Sequence, residues 1–342
     1  MHTFDPMRVL RSGAPAALAA ALIALPLHAA PLAASEVTWI GGGIQAPGTP
    51  ASRGSQKFVE LVRERTDGRL DFQHHDAAIL GTANQQMEAI ALGTQQFYIS
   101  SAVAASNLVP QLGILDAAFL FDDHDHVNAF NRSDIRAEID KRLIDEFGIR
   151  VIASNWFRMP RYFLHREEFI VDAETLADRR VRAPNLPIHL RNWECLGANP
   201  VVVAYQEQYL ALAQGLVEMT EISGEQLYGM KLHEVAPYVT DASHGYPLAS
   251  VYVSEAAFQA LSPEDREIVV EAALEAGDYQ SQLVRERFEP EWEKVMAEGG
   301  KFQPLTDEQR ATFVAKMAEC VTELVEEGMI PEGWWEEIRA MR

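Results

Sequence analysis

The chain has 342 residues, of which 48% are hydrophobic and 23% charged, enough for one large or two medium globular domains with substantial cores. Its formal net charge of -21 repels polyanions and excludes nucleic acid and anionic membrane surfaces as expected partners. A small organic anion is not excluded, because arginines clustered inside a cleft create a local positive potential that the surrounding low-dielectric walls focus.

The first 34 residues differ from the rest of the chain and are typical of a secretory signal peptide. Arg8 and Arg11 precede an apolar run at 14–27, and small residues follow this run. The order of a basic, an apolar and a small-residue region predicts cleavage between Ala29 and Ala34 and export to the periplasm. The apolar run is too short to span a bilayer, and no cysteine follows it closely as a site for a lipid anchor.

The rest of the chain alternates strand-like runs with amphipathic helices, which predicts an α/β protein with largely parallel sheets. Strands are predicted at 36–40, 69–73, 97–101, 150–156 and 179–183. Helices are predicted at 52–66, 83–92, 130–147, 173–177, 187–196, 206–214 and 262–298, with an interruption near Pro290, and from Thr306 onward. Glycines follow the first strand at 41–43, as expected where a strand delivers the chain to a loop over a cleft.

The sequence contains none of the common catalytic motifs. It has no G-x-S-x-G elbow, no P-loop, no G-x-G-x-x-G after a strand, no H-E-x-x-H and no paired C-x-x-C, which favours a binding protein over an enzyme. Clusters of His and Asp occur at 74–76 and 122–126. The first lies beside the predicted cleft and could contact a ligand or a metal, and the second is interpreted as the solvated start of a helix. We therefore assign no metal site and no cofactor.

Two cysteines, Cys195 and Cys320, leave two alternatives open. They could form a disulfide in an oxidising compartment. Two buried free thiols are also compatible with their positions, and the spacing alone does not decide between these states.

A group of short motifs in the middle of the chain is similar to the central signature of a known family. The motifs are 180–185 (RVRAPN), 196–200 (LGANP), 205–209 (YQEQY) and 213–218 (AQGLVE). The family pattern runs approximately R-V-P, L-G-A-x-P, F-x-E-x-Y and Q-x-G-x-V-D-G-Q-E in the same order. Segments 67–69, 79–81, 115–121 and 261–265 also fit. The chain thus resembles the DctP family, the solute-binding subunits of TRAP transporters, over residues 36–325.

The resemblance implies two α/β lobes joined by crossing strands and a long helix, with mixed, mostly parallel sheets and a ligand between lobes that close about a hinge. We expect lobe I to comprise 35–157 and 246–287, and lobe II to comprise 158–245 and 288–342. The resemblance also implies a receptor, not an enzyme, which captures a small organic acid and delivers it to the membrane permease of a TRAP transporter. A monomer is the default expectation.

The resemblance also implies a ligand site. Arg182 matches the family's arginine that meets the ligand carboxylate, and Tyr205 matches an aromatic residue that packs beside the ligand. A second family arginine matches Arg161 after a one-residue insertion, with Arg158 as a competitor. The residue type fits this role, because a guanidinium offers forked donors that match two carboxylate oxygens. Without the resemblance, Arg182 is interpreted as an exposed strand-end charge or a structural salt bridge.

The chain departs from the family pattern at 219–222, where G-Q-E-N is replaced by Met-Thr-Glu-Ile. Glu221 matches the glutamate of the family pattern and could accept a hydrogen bond from a ligand hydroxyl or orient an arginine. Ile222 stands at the asparagine of the pattern and replaces a polar contact with an apolar one. Either the ligand is less hydroxylated at that end, or other residues bind its polar groups. The candidates for such contacts are Asn84, Gln85, Ser100, Ser101, Asn155, His244 and His75.

The sequence leaves the ligand open, because monocarboxylates, dicarboxylates, hydroxy or keto acids and sugar acids such as uronates all fit an arginine fork. Two other functions are compatible with the sequence. A receptor of an ATP-driven, ABC-type importer would use the same hinge with a different membrane partner. A secreted hydrolase or lyase would use His74, His75 and Glu221 as acid and base groups.

Overall fold

A computed structural model describes residues 37–341, so the predicted signal peptide lies outside the described part of the chain. Within that part the backbone forms eleven strands. They are β1 (Val37–Gly42), β2 (Leu70–His75), β3 (Phe97–Ser101), β4 (Ile149–Phe157), β5 (Arg161–His165), β6 (Arg180–Ala183), β7 (Asn199–Val202), β8 (Met219–Ser223), β9 (Tyr238–Asp241), β10 (Leu248–Ser254) and β11 (Lys301–Pro304).

Helices connect most of these strands. The α-helices are α1 (Pro50–Arg65), α2 (Ala83–Ala91), α3 (His124–Asn131), α4 (Asp134–Phe147), α5 (Ala173–Leu176), α6 (Pro187–Cys195), α7 (Gln208–Ala213), α8 (Glu255–Ala260), α9 (Pro263–Ala297), α10 (Asp307–Glu326) and α11 (Trp334–Ala340). Short 3-10 helices occupy Pro110–Asp116, Tyr205–Glu207, Gly224–Gln226 and Leu232–Glu234. None of the helices between residues 37 and 341 is long and apolar enough to cross a lipid bilayer.

The strands form two mixed sheets. The first has the order β2-β1-β3-β10-β4, and the second has the order β11-β9-β5-β8-β6-β7. Five of the nine strand pairings in the described residues are parallel and four are antiparallel. The chain passes from the first sheet to the second after β4 and returns to the first at β10. This arrangement confirms the predicted two-lobed α/β fold with mixed, mostly parallel sheets.

Helix α9 packs against the cores of both sheets and is the connecting helix that the sequence predicts. Val269 lies in the core beside the first sheet, and Val295 lies in the core beside the second. The predicted interruption near Pro290 is wrong, because α9 continues through this residue. A proline removes only one N–H···O bond of the helix, and Phe288 and Trp292 on either side of it pack against the same core.

Trp156 of β4 sets the distance between α1 and α9. Its indole is fully buried, and its Nε1 donates a hydrogen bond to the carbonyl oxygen of Ala273 at 3.1 Å. A Cβ atom added to Gly54 of α1 would lie 2.7 Å from the indole, and a Cβ atom added to Gly277 of α9 would lie 2.6 Å from it. Glycine is therefore required at both positions for the two helices to pack against the ring.

The predicted helix at 130–147 is wrong in one respect, because the structure has two helices there. α3 ends at Asn131 and α4 begins at Asp134. The Ser133 side chain accepts a hydrogen bond from the backbone N–H of Arg136, which starts a new helix as an N-cap. The apolar periodicity continues across this break, so periodicity alone does not reveal it.

Cys195 at the end of α6 forms a disulfide with Cys320 of α10, and the structure thus has the first of the two states that the sequence left open. The Cα atoms of the pair are 5.6 Å apart and the two residues are separated by 125 positions. The bond ties α10 to the helix that directly follows β6, the strand of Arg182.

Candidate functional site

A cavity is lined by residues of both sheets and their connecting loops. Most of these residues lie at the carboxyl ends of strands, where α/β proteins place their ligand sites. Eight of the twelve residues named above as predicted or candidate ligand contacts line the cavity, and they are Asn84, Ser100, Ser101, Arg161, Arg182, Tyr205, Glu221 and Ile222. The sequence-based site is thereby brought together in one place, and each contact with a ligand stays a prediction.

Arg182 of β6 is a buried cation without a carboxylate in contact with it. Arg182 is 6% exposed, and its Nε donates a hydrogen bond to the backbone oxygen of Val203 at 2.9 Å. Within residues 37–341 the guanidinium forms no salt bridge, and its Nη atoms form no hydrogen bond. Burial lowers the pKa of Arg182 to about 10, and Glu221 at longer range opposes this shift. The group is protonated at neutral pH and can bind an anion.

Arg161 of β5 lines the same cavity but is already neutralised. Its Nη2 donates to Oδ2 of Asp116 at 2.8 Å and its Nη1 donates to Oε1 of Glu221 at 3.2 Å. Burial disfavours its charge, but the two carboxylates outweigh burial and raise the pKa of Arg161 above its ordinary value. Arg161 is therefore held in a fixed position beside Arg182.

His189 of α6 joins the same two carboxylates from the other side. Its Nε2 lies 2.9 Å from Oδ2 of Asp116 and its Nδ1 lies 3.0 Å from Oε1 of Glu221. Burial opposes protonation of the imidazole, but hydrogen bonds to the two carboxylates outweigh it and raise the pKa of His189. His244 adds a further contact, because its Nε2 donates a hydrogen bond to Oε2 of Glu221.

The two carboxylates of this cluster are held in the ionised form. Burial opposes ionisation of Asp116, but Arg161 and His189 outweigh it and lower the pKa of Asp116 to about 2. Burial likewise opposes ionisation of Glu221, but Arg161, His189 and His244 hold its pKa well below the ordinary value. Glu221 is therefore an anion that orients an arginine, one of the two roles that its position in the sequence suggested.

Tyr205 links the two sides of the cavity. Its hydroxyl donates a hydrogen bond to Oε1 of Gln45 at 3.1 Å, and Gln45 belongs to the loop after β1. Gln226 reaches the same oxygen through its Nε2 at 3.2 Å. Burial raises the pKa of the Tyr205 phenol, so it stays a neutral donor. Ile222 adds an apolar surface to the wall beside these polar groups.

Some predicted contacts lie elsewhere in the structure. His75 pairs with Gly42 at the end of β2 and does not line the cavity. The Asn155 side chain donates to the carbonyl oxygen of Leu274 in α9, and Gln85 caps the start of α2. His74 contacts Asp76 at 3.0 Å in a neighbouring cavity, and no cluster of three His, Cys, Asp or Glu residues suited to a metal ion occurs among residues 37–341.

Two residues of the cluster were not identified as site residues from the sequence. Asp116 ends the 3-10 helix Pro110–Asp116, and His189 lies in the first turn of α6. The one available signal was positional, because α6 directly follows the strand that carries Arg182 and its first turn faces the same carboxyl end of the sheet.

The fold and the cavity define a two-lobed solute-binding protein. Residues 41–327 match the bacterial extracellular solute-binding protein family 7, DctP. The chain therefore belongs to the DctP family. It is 26% identical to the 2,3-diketo-L-gulonate-binding periplasmic protein of Escherichia coli K12 over 282 residues, which cover 82% of this chain and 84% of that protein.

Two solved structures of TRAP periplasmic solute-binding proteins show the same fold. One, from Roseobacter denitrificans with bound β-D-glucuronate, is 25% identical, has a TM-score of 0.84 and matches 90% of this chain and 100% of its own. The other, from Sulfurospirillum deleyianum with bound succinate, is 23% identical, has a TM-score of 0.81 and matches 90% and 100% of the two chains. The predicted family and fold are thus confirmed.

Proposed function

We propose that this protein is a periplasmic receptor that captures a small organic acid in the cavity between its sheets and delivers it to a TRAP-type permease. The observation that carries the proposal is the Arg182 guanidinium, which is buried in the cavity wall without a carboxylate in contact with it. A buried cation without a counter-charge is costly. A ligand carboxylate supplies that charge with the forked geometry that arginine favours.

The family and its relatives support an acid as the ligand. The Escherichia coli relative is named for 2,3-diketo-L-gulonate, and the two solved structures hold glucuronate and succinate. All three ligands carry a carboxylate, although their carbon skeletons differ. The relatives are receptors and not enzymes, and a receptor that binds without turnover is the form we propose for this chain.

Closure of two lobes around the acid is part of the proposal. Lobe I comprises 35–157 and 246–287, and lobe II comprises 158–245 and 288–342. Sheet membership supports this division, because β1 to β4 and β10 form one sheet and the remaining strands form the other. We propose that the N-terminal segment directs export. We also propose that the mature protein is a monomer, and light scattering on the purified protein tests this oligomeric state.

The first experiment is a thermal-shift screen of the mature protein against organic acids, followed by calorimetry on the acids that stabilise it. A ligand at 100 times its Kd adds about 2.7 kcal/mol of stability. We expect Arg182→Ala to weaken binding by about 2 to 5 kcal/mol, because it removes one partner of a buried charge pair. Wild-type affinity in this variant would defeat the assignment.

The neighbouring Arg180 provides a matched control. It lies on the same strand, two residues away, but it is exposed and its Nε donates to the carbonyl oxygen of Leu216 outside the cavity. Arg180→Ala removes the same side chain and the same charge, so it should leave affinity within about twofold of wild type. Equal losses in both variants would indicate a general charge effect and would contradict a site at Arg182.

Delivery is tested by uptake of the labelled acid into membrane vesicles that contain the candidate permease. Ion-gradient-driven uptake that requires this protein supports a TRAP partner. ATP-dependent uptake would favour the ABC-type importer, and chemical change of the acid during incubation with the purified protein would favour an enzyme.

A further inference from the structure

The charged side chains that line the cavity compensate one another except at Arg182. Arg158 pairs with Glu225, with 3.2 Å between its Nε and Oε1 of the glutamate. The other charged or titratable lining residues are Arg161, His189 and Glu221, which form a cluster with Asp116. In this cluster the arginine and the histidine each contact both carboxylates. The net charge of this cluster depends on the protonation of His189.

The geometry of His189 identifies its charge. Each of its two ring nitrogens lies within 3.0 Å of a carboxylate oxygen, Nε2 to Asp116 and Nδ1 to Glu221. A neutral imidazole carries one N–H and one lone pair, so one of its nitrogens would direct a lone pair at a carboxylate oxygen. Only the imidazolium donates to both. The cluster therefore has two cations and two anions.

His244 contacts the same cluster but does not line the cavity. Its Nε2 donates to Glu221, whereas its Nδ1 is buried and has no hydrogen-bond partner within residues 37–341. Among the described charged groups that line the cavity, Arg182 is the one without a carboxylate in contact with it.

The opposite wall of the cavity carries no unpaired charge. The residues that line it from the first sheet and its loops include Gln45, Thr82, Asn84, Ser100 and Ser101, and the one charged lining residue there within the described chain is Arg158, which follows β4 and is paired with Glu225. A second carboxylate at the far end of a ligand would meet hydroxyl and amide groups but no unpaired cation. It would also lie in the field of a molecule with a net charge of -21.

We propose that the cavity selects monoanionic carboxylates with neutral polar substituents over dicarboxylates, and that the His189 imidazolium maintains this selectivity. The inference rests on the proposed function and specifies its ligand class. Arg182 binds the single carboxylate, and the amides and hydroxyls of the first-sheet wall bind hydroxyl or keto groups at the other end. His189 acts as a positioning residue, because both of its ring nitrogens contact the carboxylates of Glu221 and Asp116 and neither is free for a ligand.

The selectivity test uses pairs of acids that differ only in one terminal group. Gluconate and glucarate share a six-carbon skeleton, and 4-hydroxybutyrate and succinate share a four-carbon skeleton, with CH2OH in the first and COO⁻ in the second of each pair. Calorimetry at pH 7.5 should give the monoanion of a binding pair at least tenfold higher affinity. A dianion that binds as tightly as its partner would overturn the charge argument but leave the proposed function standing. A panel in which no carboxylate binds, uronates included, would overturn both.

The role of His189 is tested with His189→Gln. ¹⁵N NMR of the histidine rings, with the His189 signals assigned through this variant, should show both ring nitrogens protonated at pH 7.5 in the wild type. The variant removes one positive charge beside the cavity, so gluconate or glucuronate should bind at least fivefold more weakly. A neutral His189 ring, or unchanged affinity in the variant, contradicts the proposal.

His233→Gln is the matched control. His233 is also buried and contacts a carboxylate, since its Nε2 lies 2.9 Å from Oε2 of Glu298, but it does not line the cavity. This variant should keep wild-type affinity. A loss equal to that of His189→Gln would assign the effect to general destabilisation and overturn the role of His189.

Discussion

Arg161 and Arg182 line the same cavity from β5 and β6, but only Arg161 is neutralised by carboxylates in contact with it. Asp116 and Glu221 hold Arg161 in place, whereas Arg182 is oriented by one bond from its Nε to a backbone oxygen. The two arginines therefore differ in role. Arg161 belongs to a fixed polar cluster, and Arg182 is the group that we propose binds an anion.

Arg182→Lys separates charge from geometry at this site. Lysine keeps the positive charge but lacks the planar fork that contacts two carboxylate oxygens at once. We expect roughly a tenfold loss of affinity for the best-binding acid, or about 1.4 kcal/mol, which is less than the loss in Arg182→Ala. Calorimetry on the three proteins measures the difference. Wild-type affinity in Arg182→Lys would show that the ligand uses the charge and not the fork.

Asp116 should contribute stability that is lost in acid. Its pKa is lowered from 3.8 in the unfolded chain to about 2 in the folded protein, so its contribution is present above pH 3.8 and disappears as the pH falls toward 2. The shift corresponds to about 2 kcal/mol. Asp116→Asn should lower the free energy of unfolding by about 3 to 5 kcal/mol at pH 7, because it breaks a buried pair. The variant should also lose less stability than the wild type as the pH falls, which flattens the acid limb of the plot of stability against pH.

Urea unfolding between pH 7 and pH 2 measures both effects of this substitution. Asp145→Asn is the control, because Asp145 is exposed and contacts only Lys141 one turn away on α4. Exposed pairs contribute little, so this control should change stability by less than about 1 kcal/mol. An unchanged acid limb in Asp116→Asn would contradict the ionised, paired state of this carboxylate.

Tyr205→Phe should weaken the closed form of the cavity. The substitution keeps the ring but removes the hydroxyl that donates to Gln45 on the other side, a contribution of about 0.5 to 1.5 kcal/mol. We expect a 2- to 10-fold loss of affinity, seen mainly as faster ligand release in stopped-flow experiments. Tyr209→Phe is the control, since the Tyr209 hydroxyl donates to Glu234 at the surface. Equal effects in the two variants would argue against a contact across the cleft.

The Cys195–Cys320 disulfide should stabilise the mature protein. It closes a long loop, because the two cysteines are 125 positions apart, and removal of such a bond costs about 2 to 5 kcal/mol. The double variant Cys195→Ser, Cys320→Ser should unfold at lower urea concentration, and reduction of the wild type should produce the same loss. Two reactive thiols in the non-reduced, unfolded wild type would contradict the bond.

Much of the fold was predictable because hydrophobic periodicity is a local signal. The five predicted strands and most of the predicted helices are present, and the motif around Arg182 indicated the family. The remaining strands, β5, β7, β8, β9, β10 and β11, were not predicted. Two errors have local causes. Ser133 caps a new helix inside a continuous apolar pattern, and Pro290 sits in a helix whose packing on both sides outweighs the lost hydrogen bond.

The site was predictable only in part, because its polar cluster is assembled from distant segments. Arg182, Tyr205 and Glu221 stand in recognisable motifs, but nothing in the sequence places Asp116 beside His189. The two residues meet through the packing of a 3-10 helix against α6. The burial of Arg182 without an acidic contact is likewise a property of the folded chain. It excludes an exposed strand-end charge and a structural salt bridge for this residue, and its contact with a ligand stays a prediction.

A crystal structure of the mature protein with the tightest-binding acid from the screen tests the proposed role of Arg182. We expect the ligand to lie between the two sheets, with its carboxylate oxygens within hydrogen-bond distance of the Nη atoms of Arg182. A carboxylate bound elsewhere, or an Arg182 guanidinium that contacts only protein groups in the complex, would contradict this role.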